Sequence, residues 1–132
     1  MPSRLPLALA LLFAPALAWN EAQTDFKVIT EGGKLLAISS ELSPLEINRM
    51  HDWRLRLTDG AGAPVTGARF EVQGGMPEHD HGLPTLPEVT DELEPGVYLL
   101  QGLRFHMPGR WLIEFGIRLG EDADGASLEF EL

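Results

Sequence analysis

Past residue 18 the chain is written in short runs whose apolar residues recur at every second position, and glycine-rich turns separate the runs. Trp111, Ile113, Phe115, Ile117 and Leu119 share one phase, as do His51, Trp53, Leu55 and Leu57, and then Ala68, Phe70 and Val72. A period of two places such side chains on one face of a half-buried strand. Phe26 to Ile29 and Lys34 to Ser40 flank Glu31-Gly32-Gly33, a hairpin signal, and Asp59-Gly60-Ala61-Gly62 turns the chain into Val65 to Gln73. Leu86 to Glu92 is a weaker strand candidate, and Pro87 sends it to an edge because proline cannot donate to a ladder. Gly96 to Phe105, Arg110 to Leu119 and Ser127 to Leu132 complete the set. Glu41 to Asn48 has room for one helical turn. The expected fold is an all-β, immunoglobulin-like antiparallel β-sandwich of about seven strands.

The first 18 residues follow another rule. Arg4 supplies a short basic start, Leu5 to Ala18 is apolar, and Ala16-Leu17-Ala18 fits a small-residue cleavage site, which together read as a secretory signal peptide. The run is shorter than the ~20 residues a bilayer span needs. One domain is expected over residues 19–132, periplasmic or secreted, with no membrane span after cleavage. That part keeps nine basic residues against 20 acidic ones, a net charge of −11. Such a surface repels nucleic acid and anionic lipid and favours cations or basic partners. Glu121 to Asp124 reads as a solvated turn. The absence of cysteine excludes disulfides, thiolate metal sites and a thiol nucleophile, leaving methionine and histidine as the soft or borderline donors.

These donors fall in three groups: Met50-His51, Met76 to His81, and His106-Met107. If consecutive strands run antiparallel, all three groups reach the same end of the sandwich, provided Leu86 to Glu92 is a strand. Each group has a plainer explanation. His51 shares the apolar phase of Trp53, where a core role competes with a ligand role. Met107 precedes Pro108-Gly109, suited to the centre of a type II turn, and could simply pack there. Met50 lies in the opposite phase and could be surface. His79-Asp80-His81 sits in a stretch, GGMPEHDHGLPTLP, too rich in glycine and proline for core packing to explain, although an exposed polar loop would also look like this. In extended backbone its two rings would project to one side, roughly 7 Å apart at their roots.

Imidazole with thioether and no thiolate suits copper: Cu(I) first, with Cu(II) able to use the histidines alone. Zinc prefers cysteine or three nitrogen and oxygen donors, and calcium wants an oxygen cage. The expected ligands are Met76, His79, His81, Met107 and His51, with His106 and Met50 as further candidates. Because imidazole must be neutral to bind, copper affinity is expected to fall as pH drops through roughly 6.

The M-P-x-H-x-H-G run at Met76 to Gly82 and the F-x-M-x-G-x-W run at Phe105 to Trp111 resemble the YtkA-like and FixH-like group of small exported β-sandwich domains. The likeness extends over roughly Leu45 to Ile117 and includes Asn48 to Trp53. It implies an immunoglobulin-like fold and, for some relatives, periplasmic copper handling or cytochrome oxidase assembly. It best supports Met76, His79, His81 and Met107, then His51. A copper chaperone or scavenger is thus expected, with a periplasmic copper acceptor or oxidase assembly protein as partner. The competing expectation is a metal-free interaction module that presents residues 74–87 to an envelope partner. Without G-x-S-x-G, H-E-x-x-H or cysteine, an enzyme is not expected.

Overall fold

The structure, a computed structural model, describes residues 19–132. The expected signal peptide lies outside them. Among the described residues there are nine strands: β1 (Phe26–Ile29), β2 (Leu35–Ser40), β3 (His51–Thr58), β4 (Arg69–Met76), β5 (His81–Gly82), β6 (Glu88–Glu94), β7 (Val97–Leu103), β8 (Arg110–Leu119) and β9 (Asp122–Glu131). They form two antiparallel sheets, ordered β1-β2-β3-β7-β6 and β5-β4-β8-β9. The expected sandwich is the observed fold. The one strand not foreseen in the sequence is β5, a two-residue return.

The phases read from the sequence are the buried ones. Trp53, Leu55 and Leu57 from β3 and Trp111, Ile113, Phe115 and Ile117 from β8 meet between the sheets, almost fully enclosed. A one-residue slip in either strand would turn that row to solvent, so burial fixes the register. Strand β6 does lie at an edge. Glu41 to Asn48 forms bends and a turn rather than a helical turn, and the helical turn that does form is a short 3₁₀ segment at Glu21–Gln23, capped by the Asn20 side chain.

The ladders define the two ends of the sandwich. His51 of β3 pairs with Leu103 of β7, and Gly75 of β4 pairs with Leu112 of β8. The start of β3, the end of β4, the end of β7 and the start of β8 therefore share one pole. Residues 104–109 cross there from one sheet to the other, so this segment is not a hairpin. Pro108-Gly109 is not the centre of a hydrogen-bonded turn either; Gly109 (φ 133°) exchanges main-chain hydrogen bonds with Leu132.

The opposite pole is closed by a carboxylate. Asp124 accepts hydrogen bonds from the Thr30 hydroxyl (2.7 Å) and from the Gly32 and Gly125 amides (2.8 Å each), with the Lys34 ammonium at 3.4 Å. Burial by itself would raise this carboxyl, yet those hydrogen bonds and the Lys34 charge together hold it below its ordinary 3.8. The expectation of a solvated turn thus fails for Asp124, whose side chain is 5% exposed. It joins the β1–β2 hairpin to β9 across more than 90 residues of sequence. On the flank, the Tyr98 hydroxyl donates to the Val65 carbonyl (2.6 Å) and accepts from the Ala68 amide (3.0 Å).

Candidate metal centre

The donor pole is assembled around Phe105. This side chain is fully buried, and its ring lies 5.2 Å from Trp111, 5.1 Å from Phe130, 5.9 Å from Trp53 and 5.6 Å from His51 between centroids. Burying a phenylalanine is worth about 1.5–3 kcal/mol, enough to fix the crossing segment in the core. The next residue, His106, is consequently held at the rim. A second segment braces the first: the Asn48 amide donates to the Phe105 carbonyl (2.6 Å), and Arg104 donates to the Asn48 side chain (3.3 Å). Asn48 is left-handed (φ 66°), a conformation asparagine tolerates.

Opposite this segment, β4 continues through Gly74 and Gly75 to Met76, three residues beyond where a loop was expected. The chain then reverses through Pro77 to Asp80, with the His79 amide donating to the Met76 carbonyl (3.1 Å), and His81 pairs back against Met76. Asp80 is left-handed (φ 53°), so His79-Asp80-His81 is a tight turn and not the extended stretch expected. Glycine at 75 is a physical requirement. A Cβ there would stand 2.1 Å from the His81 carbonyl oxygen, so only glycine lets the two backbones come this close.

The turn gathers the imidazoles. The His79 and His81 rings lie 6.1 Å apart between centroids at an interplanar angle of 28°, and His81 lies 6.3 Å from His106 at 74°. An ion held by two imidazole nitrogens at about 2.0–2.1 Å stands roughly 3.2 Å from each ring centre, so the centres then lie about 5–6.4 Å apart. Both separations fall inside that interval. The near-parallel pair still needs a side-chain rotation to aim its nitrogens at one point. Among the described residues, no three His, Asp or Glu side chains converge as they stand into a group that could hold a metal ion. The His106 Nδ1 atom is sealed from solvent and has no hydrogen-bond partner.

The other expected donors divide. Met76 is 1% exposed and sits opposite His81 in the ladder, on the same face of the sheet. Its Cε reaches under the crossing segment and would lie 2.7 Å from a Cβ at Gly109. Met107 is partly buried against the core. His51 is set apart: 5% exposed, its ring rests on Phe105 and Trp53, and its Nδ1 lies 2.9 Å from the Arg49 carbonyl oxygen. Its Nε2 is buried without a partner. Met50 is 62% exposed and faces solvent. The structure thus brings together His79, His81 and His106 with Met76 beneath, so His106, only a further candidate from the sequence, belongs with the central donors.

Beside the turn, Arg110 lies 3.4 Å from both Glu78 and Glu129. Such exposed pairs contribute little stability, but this one ties the turn to the start of β8.

Compared with known protein families, residues 36–115 match the YtkA-like family. The chain belongs to the YtkA-like family. The YtkA-like match runs from Leu36 in β2 to Phe115 in β8, so every candidate donor falls within it. No curated protein matches the sequence. Among the described residues, no helix is long and apolar enough to cross a membrane.

Proposed function

We propose that this YtkA-like protein is an exported copper-binding protein, a chaperone or scavenger working in the periplasm or outside the cell, with a binding rather than a catalytic role. One observation carries the reading. His81 stands between His79 and His106 at separations a shared ion would accept, while the Nδ1 of His106 lies buried with nothing to bond. A desolvated lone pair costs about 1–3 kcal/mol when unpaired, and a metal ion would return that energy. The donor set of imidazoles with the Met76 thioether, and Met107 beside them, fits Cu(I), and the histidines alone fit Cu(II). The chemistry of the residues therefore fits copper, with His79, His81 and His106 as nitrogen ligands. His51 supports the site from below through Phe105. Ligands on an exposed turn leave one side of the ion open, as transfer to an acceptor requires.

The test is titration of the purified protein with Cu(I) against a competing chelator, and with Cu(II) separately. One equivalent should bind, and His81→Ala should weaken binding more than His79→Ala or His106→Ala, because His81 belongs to both ring pairs. Absence of binding at neutral pH, or unchanged binding in the His79→Ala/His81→Ala double variant, would remove the proposal.

A second reading is favoured by Leu86, which is 92% exposed on the same segment. Residues 74–87 would then be a recognition loop for an envelope partner, with no metal involved. Copper-insensitive thermal stability, together with partner capture abolished by Leu86→Ser, would select it.

A further inference from the structure

We infer that Trp111 is the positioning residue of this site, holding His106 and Met107 where the metal needs them; the inference rests on the copper-binding reading above. Trp111 is fully buried at the start of β8. Its indole N–H donates to the Met107 carbonyl (3.0 Å), its ring meets the His106 ring nearly edge-on at 5.6 Å, and it packs on Phe105 at 5.2 Å. One rigid side chain therefore grips three consecutive residues of the crossing segment.

Little else holds that stretch. The main-chain ties of the segment are at its ends, where Asn48 reaches Phe105 and Leu132 pairs with Gly109. Among the described residues, neither His106 nor Met107 makes a main-chain to main-chain hydrogen bond. Trp53 provides the contrast within the same core: it is equally buried, yet its indole nitrogen has no partner. Filling the sandwich thus does not require an indole N–H to be used, whereas fixing the Met107 carbonyl does. Coordination tolerates displacements of only about 0.2 Å, so a ligand on an untethered loop would be positioned too loosely. Groups that orient metal ligands commonly change affinity 10–100-fold.

The test compares Cu(I) affinity in the wild type, Trp111→Phe and Ile117→Ala. Trp111→Phe keeps an aromatic ring but removes the N–H, and affinity should fall about 10–100-fold. Ile117→Ala destabilises the same strand away from the donor pole and should leave affinity within about twofold, since distant sites act independently. A readout on the unaltered protein accompanies this. Saturation with Cu(I) should shift the indole ¹H–¹⁵N resonance of Trp111 and leave that of Trp19, which donates to Thr24 and lies against Arg56, unmoved. If Trp111→Phe does not fold, this resonance decides alone. The inference is overturned if Trp111→Phe binds Cu(I) like the wild type, or if the Trp111 resonance stays in place on saturation. A wild type that takes up no Cu(I) overturns the copper reading and this inference together, an outcome distinct from a binding wild type with an indifferent variant.

Discussion

Gly75→Ala tests how the donor turn is built without touching a donor. The added Cβ would stand 2.1 Å from the His81 carbonyl oxygen, 3.1 Å from its carbon and 3.2 Å from the Gly82 Cα. All three are backbone atoms, so no side chain can swing aside. A carbon–oxygen contact settles at about 3.3 Å, so β5 must retreat by roughly 1.2 Å. That movement breaks the pairing of Gly75 with Gly82 and of Met76 with His81, and it strains the Leu83 amide bond to the Gly74 carbonyl (2.9 Å). Overpacking and weakened hydrogen bonds together should cost about 1–3 kcal/mol. For a domain of this size the melting temperature should drop by roughly 5–15 °C, measured by circular dichroism in the absence of metal. The retreat is several times the ~0.2 Å that coordination allows, so Cu(I) affinity should also fall at least tenfold. A Gly75→Ala protein with wild-type melting and wild-type copper affinity would refute both the close approach and its role in placing His81.

Three further outcomes follow from the same geometry. Asp124→Asn loses the charge and an acceptor at the far pole and should cost about 1–3 kcal/mol at pH 7 in urea unfolding, with copper affinity unchanged. The folded carboxyl titrates below its unfolded value of 3.8, so its stabilisation is complete above about pH 4 and is lost as pH falls through the folded value; the two proteins should converge there. Tyr98→Phe strips the Val65 carbonyl of its donor and the Ala68 amide of its acceptor and should cost about 1–3 kcal/mol by the same assay. His106→Leu removes a sealed, unpaired Nδ1 and should leave the metal-free protein as stable as the wild type or about 1 kcal/mol more so, while weakening copper binding, though less than His81→Ala does; a large loss of stability would show that His106 is a core residue first.

What could be read from the sequence is what burial dictates. The inward rows of β3 and β8 were legible because a slip of one residue would expose all of them, and Pro87 foretold the edge position of β6. With β6 in place, strand parity brought the three donor groups to one pole. What escaped was set by contacts remote in sequence. Gly74 and Gly75 look like loop punctuation, yet they extend β4, because close approach to β5 is needed and glycine alone allows it. That lengthening put Met76 inside the core rather than on the turn. Asp124 looked solvated within an acidic run because its donors, Thr30 and Gly32, lie more than 90 residues away. His51 kept both of its readings, since a buried imidazole beside aromatic rings satisfies either.

The two poles differ in how well their imidazole and carboxylate groups are satisfied, a difference that the proposed copper site would account for. At the Asp124 end, a buried carboxylate receives a hydroxyl, two amides and an ammonium. At the other end, the His51 Nε2 and His106 Nδ1 atoms are sealed without a hydrogen-bond partner. Buried polar groups are nearly always paired, so two unpaired imidazole nitrogens within one group of donors are a cost that a bound ion would offset. A recognition loop without metal would account for exposed residues such as Leu86, but it gives no reason to bury an unpaired ring nitrogen of His106 next to the His81 imidazole. An ion that binds imidazole does give one, because the same desolvation that costs stability in the metal-free protein leaves that nitrogen free of competing water.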